Sequence, residues 1–141
     1  MRLTRGTIFN PTRWILEEEY RIFYGKTGIN WYSPDGWLKI VDGVWIVRPG
    51  YVWDGCTDVL DFKSDLDTET KKPKTYYPSL CHDVGYRYLA ICPESFPYNK
   101  FKIDFFFFRL LRKFKFRFSK LYFVGVLIFG QFYMGTYETQ N

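Results

Sequence analysis

The chain has 141 residues, a length that fits one domain with a core of its own and needs no disulfide or metal staples. Aromatic residues make up 23% of it, with 15 Phe, 12 Tyr and 5 Trp, which excludes an intrinsically disordered chain. Its net charge of +5 and pI near 9.1 permit a phosphate-bearing partner, nucleic acid or an anionic lipid surface, without requiring one.

Residues 1–10 hold no apolar run, so no secretory signal of the usual kind is expected, and export would use host lysis or packaging in a particle. Residues 14–24 alternate Trp14, Leu16, Glu18, Tyr20, Ile22 and Tyr24 against Ile15, Glu17, Glu19, Arg21 and Phe23, the period of a strand. Turn signals follow at Gly25-Lys26-Thr27-Gly28, Ser33-Pro34-Asp35-Gly36 and Asp42-Gly43. The last lies between Trp37-Leu38-Lys39-Ile40-Val41 and Val44-Trp45-Ile46-Val47 and predicts a hairpin whose two central residues take positive φ. The first third therefore reads as a small antiparallel meander, ended by Arg48-Pro49-Gly50. Residues 58–74 turn polar and mixed in charge, and a solvated loop is expected there.

Pro78 and Ser79 signal a helix start, so a helix is predicted over 78–90. It carries the single histidine, His82, directly beside Asp83. Residues four apart share a helix face, so His82 lies with Tyr86, while Asp83 is turned about 100° away. A second helix is predicted over 100–113, with Asp104, Phe107, Phe108 and Leu111 on one face and Phe105 and Leu110 nearby. A third apolar segment, 121–134, is shorter than the roughly 20 residues that cross a bilayer and reads as a packed helix, or else as an interfacial segment. Arg109, Arg112, Lys113, Lys115, Arg117 and Lys120 gather before it, as a solvated face or a face for a lipid surface or protein partner. Phe114, Phe116 and Phe118 interleave them, but amphipathic packing gives the same spacing, and nucleic acid is not the expected partner. The expected fold class is α+β: one domain, with residues 1–53 β-rich, 54–77 a loop, and 78–135 an antiparallel helix bundle.

Cys56, Cys81 and Cys92 form an odd set with no C-x-x-C spacing, so buried free thiols are expected rather than a disulfide framework or a zinc knuckle. Chemistry is expected where three elements converge: the loop Trp53-Asp54-Gly55-Cys56-Thr57, the helix with His82-Asp83, and the helix with Asp104. If the helices pair antiparallel, Asp104 can meet His82 and fix its tautomer, leaving a general base for water. Asp83 and Asp54 would offer carboxylate oxygens to a hard cation, with Gly55 turning backbone carbonyls inward; calcium is preferred over zinc because no His/Cys cluster exists. The expected reaction is metal-assisted ester hydrolysis with water as nucleophile. Blander roles stand beside these: Asp104 as a buried hydrogen-bonding acid without turnover, and Asp54 as a turn cap before Gly55.

The stretches W-D-G-C-T, S-L-C-H-D-V-G-Y-R and N-K-F-K-I-D-F-F-F-F-R-L-L resemble the bacterial and fungal branch of secreted phospholipase A2. The resemblance covers roughly the second half of the chain. It implies His82 as base, Asp104 as its partner, Asp54, Gly55 and Asp83 at calcium, and Tyr86 as a hydrogen-bonding support. A wider set, I-V-R-P-G-Y-V-W-D-G-C-T, L-C-H-D-V-G-Y-R, K-I-D-F-F-F and G-V-L-I-F-G, is similar to the domain of unknown function 1353 of small phage and prophage proteins. That likeness implies a β-rich start and a helical end and no established activity; the expected location is the virion or the host cytoplasm, with delivery to the host envelope as a further option. The alternative it leaves open is a non-enzymatic virion or accessory protein that keeps the fold. Phospholipid surfaces or other virion proteins are the implied partners.

Overall fold

A computed structural model describes residues 2–4, 13–53 and 66–129 of the chain. Among the described residues seven short strands precede three helices, the α+β arrangement that the pattern predicts. The strands form two antiparallel sheets rather than a single meander. β1 (Arg2–Thr4), β2 (Arg13–Ile15) and β7 (Val52–Trp53) make one in the order β1-β2-β7. β3 (Tyr20–Phe23), β4 (Trp31–Tyr32), β5 (Leu38–Val41) and β6 (Val44–Val47) make the other in the order β3-β6-β5-β4. The alternating run 14–24 is thus split between sheets, because the acids Glu17, Glu18 and Glu19 stay exposed and break it.

The Asp42-Gly43 hairpin forms as expected, with φ of 50° and 79° at its two central residues. Across it Leu38 and Ile40 point inward while Lys39 and Val41 face out. Trp45, fully buried, anchors the inner face beside Tyr24, Phe96, Tyr98 and Phe106. Burying such rings supplies the apolar area that stabilises a domain of this size.

α1 spans Tyr76–Ile91, starting two residues before the predicted start. The hydroxyl of Ser79 does not cap it; it donates to the Tyr76 carbonyl at 3.0 Å and accepts from Trp53 Nε1 at 3.0 Å. α2 spans Lys100–Lys113 as predicted, and Asn99 caps it by accepting from the Lys102 amide at 2.9 Å. Arg112 and Lys113 complement the dipole at its end. The helix then stops in a left-handed turn with Lys115 at φ 59°, where the Phe116 amide bonds the Leu111 carbonyl at 2.9 Å and the Lys115 amide bonds that of Arg112 at 3.0 Å. α3 spans Ser119–Phe129, two residues earlier at its start than read; the remainder of the segment predicted over 121–134 lies outside the described residues.

α1 and α2 run antiparallel: Tyr86 contacts Asp104, Cys81 packs with Phe106 and Leu110, and Tyr77 stacks on Phe114. They pack tightly at Gly85, where a Cβ would lie 2.8 Å from Cγ2 of Ile103. Of the apolar residues read on or near the Asp104 face of α2, Phe105 is exposed at 43% and Phe108 only half-buried, because α3 packs mainly over Phe107 and Leu111 and meets the other two through Phe123. Cys81 is a buried free thiol and Cys92 a half-buried one, while Cys56 lies outside the described residues. The polar segment shows one bridge, Leu66 to Pro73, within its described part. Among the described residues no helix is long and apolar enough to cross a membrane.

Two substitutions test this packing. Gly85→Ala forces α1 from α2 and should cost about 1–3 kcal/mol in urea denaturation. Lys115→Gly relieves a left-handed residue and should stabilise by roughly 1 kcal/mol in the same measurement.

Candidate functional site

Three polar residues of α1 at i, i+4 and i+8 tie it to the β-rich part. Ser79 accepts from Trp53 Nε1, Asp83 Oδ2 accepts from the Tyr51 hydroxyl at 2.7 Å, and Arg87 Nη2 donates to Asp35 Oδ2 at 3.0 Å. Tyr88 adds a bond to Asp35 Oδ1 at 2.5 Å. Burial works against charge on Asp35, but these donors outweigh it and hold the carboxyl below its ordinary range. A helix clamped at 79, 83 and 87 cannot rotate, so His82 and Tyr86 are turned toward α2.

There His82 Nε2 lies 2.8 Å from Asp104 Oδ1, and the Tyr86 hydroxyl donates to the same oxygen at 2.5 Å. The other oxygen, Oδ2, accepts from Lys100 Nζ at 2.7 Å. Lys100 also donates to the carbonyls of Val126 and Leu127 at 3.0 and 3.2 Å, in the last part of α3. Asp104 has no exposed surface, and the imidazole is 15% exposed. Desolvation raises the Asp104 pKa, yet bonds from His82, Lys100 and Tyr86 prevail and hold it below the ordinary 3.8. At neutral pH it is a carboxylate, an acceptor only. Nε2 of His82 therefore carries the proton, and the lone pair of the neutral ring is on Nδ1. Burial pushes the His82 pKa below 6.5 and Asp104 pulls the other way without overcoming it, so the ring is neutral at pH 7. This is the electronic state of a general base.

The sequence-predicted residues His82, Asp104 and Tyr86 are thus brought together. Asp83 faces away from them and toward Tyr51, which precedes β7, the strand that leads into Asp54. Burial, then the neighbouring Asp83, raises the Tyr51 pKa, which keeps its proton on the donor side of that bond. Asp54 and Gly55 lie outside the described residues. Among the described residues no group of three or more His, Cys, Asp and Glu is placed to hold a metal ion. Asp83 is a donor of the right type for a hard cation, which takes six to eight oxygens, so the remaining ligands would come from elsewhere. Arg109, Arg112, Lys113, Lys115, Arg117 and Lys120 are all exposed.

Lys100 and Tyr51 belong to the site and were not read from the sequence. Lys100 had a legible signal, its i, i+4 spacing to Asp104. Tyr51 had none, since its pairing with Asp83 crosses from a strand edge to a helix 32 residues on.

His82 is the chain's only histidine, so its ring proton is assigned in an NMR titration without mutants. The midpoint should fall below 6.5, and further still in Asp104→Asn, which loses the opposing pull. A lowered folded pKa contributes stability that is present above 6.5 and lost as pH falls through the folded midpoint. Acidification in that range should ease unfolding in urea, with a further loss below 3.8 as Asp104 takes its proton.

Compared with known proteins, the chain matches no family model, no curated protein and no solved structure.

Proposed function

We propose that the His82–Asp104 pair hydrolyses the carboxylic ester of a phospholipid, as the likeness to the phospholipase A2 helix pair implies. The observation that carries this reading is the 2.8 Å bond from Nε2 to a fully buried, ionised Asp104, which leaves Nδ1 as the basic nitrogen. In the proposed reaction, water attacks the ester carbonyl as Nδ1 takes its proton. Asp104 stabilises the imidazolium that forms, and Tyr86 and Lys100 keep that carboxylate fixed and charged. The tetrahedral species then expels the alcohol, which recovers the proton from Nδ1. The products are a fatty acid and a lysophospholipid.

Calcium is the proposed cofactor, held by Asp83 with Asp54 and Gly55, and when bound it supplies polarisation of the ester carbonyl. The Tyr51 bond orients Asp83 toward the strand that enters Asp54, which suits that ligand set. A second reading rests on the low exposure of the imidazole, 15%: the same bonds could serve only to lock two helices in a phage virion or accessory protein.

Fatty-acid release from phosphatidylglycerol vesicles in millimolar calcium separates the two. Activity should disappear in EDTA and fall by about 100-fold or more in His82→Asn. Calcium should also raise the melting temperature of the wild-type chain, and less so that of Asp83→Asn. A folded chain with no release and no calcium shift would sink the hydrolase and leave the structural role.

A further inference from the structure

The solvent side of α2, next to the side that carries Asp104, bears a row of rings. On α2, Phe101, Phe105, Phe108 and Arg112 fall within one stripe about 60° wide. Phe101 is exposed at 60% and Phe105 at 43%, with their rings parallel at 6.3 Å. Phe108 stacks on Phe123 of α3 at 4.9 Å, and Phe123 also meets Phe105 at 6.2 Å. Phe123 therefore joins this stripe to α3, whose Leu121, Val124 and Ile128, at i, i+3 and i+7, form a second apolar stripe about 100–160° round that helix from Phe123. Those three are exposed at 50–57%. Large apolar side chains are normally buried, and a contiguous group of them left in water marks a surface that meets something.

Charge selects the occupant. Residues 100–129 hold eight Lys and Arg and one acid, Asp104, which is buried and paired. Lys102, Arg109, Arg112, Lys113 and Lys120 are exposed along the same two helices. The Arg112 guanidinium lies 5.7 Å from the Phe108 ring centre, so a cation sits at the edge of the ring row. Two copies meeting by this face would bring like charges together, which opposes self-association. An apolar stripe edged by long cationic side chains matches the boundary of an anionic bilayer, where rings enter among acyl chains and cations stay with phosphates.

We infer that the α2–α3 face bearing Phe101 and Phe105, with Phe108 and Phe123 beside them, docks on an anionic lipid surface. This docking does not require the hydrolase, and its test removes hydrolysis altogether. Sedimentation with vesicles of ether-linked phosphatidylglycerol, which has no acyl ester, is measured in EDTA beside vesicles of ether-linked phosphatidylcholine. The wild-type chain should bind the anionic vesicles and much less of the neutral ones, and about 0.5 M NaCl should weaken binding. Phe101→Ser with Phe105→Ser should weaken it by about tenfold or more, since two rings no longer leave water. Tyr32→Ser, at a ring 65% exposed on β4, should leave it unchanged. Both variants alter exposed side chains, and circular dichroism melting verifies their fold. Equal binding to neutral vesicles, or undiminished binding by the double variant, overturns the inference. So does absent vesicle binding together with self-association that the double substitution abolishes, which would make the face a contact between copies.

Discussion

The fold depends on keeping a carboxylate charged where no water reaches it. An ion removed from solvent costs several kcal/mol, and that cost is offset only where donors converge on it. For Asp104 they come from two helices: His82 and Tyr86 on α1, Lys100 on its own α2. The convergence needs α1 and α2 at close range, which Gly85 permits by offering Ile103 nothing but backbone. A single added carbon at that crossing would separate the donors from their acceptor.

Distance alone does not suffice, because α1 must also present the right side. The β-rich part settles its rotation through Trp53, Tyr51 and Asp35, which grip Ser79, Asp83 and Arg87 in turn. The two sheets thereby orient the helix that carries His82, while the bonds on Asp104 come from α1 and α2. Their aromatic core, centred on Trp45 and Tyr51, gives those grips a rigid base.

The helical half was the more legible part of the sequence. The i, i+4 spacing of His82 and Tyr86 and the apolar period of α2 are local, and once the two helices run antiparallel they bring Asp104 to His82. The Asp42-Gly43 hairpin was legible for the same reason, since two positive φ values demand those residues. The split of the strands into two sheets was not, because pairing β2 with β7 joins residues about forty apart and no local pattern encodes it. The exposure of Phe105 was not legible because periodicity gives the width of an apolar stripe, whereas α3 decides which part of it is covered. Lys100 went unread because a lysine four before an aspartate is ordinarily a surface pair.

The ammonium of Lys100 spends its donors on two clients, the buried acid and the carbonyls near the end of α3. Pulling that terminal rod outward would strip the amine from its tether and loosen its hold on the acid. A push or tug on α3 would then be felt as a change in proton affinity at an imidazole carried by α1.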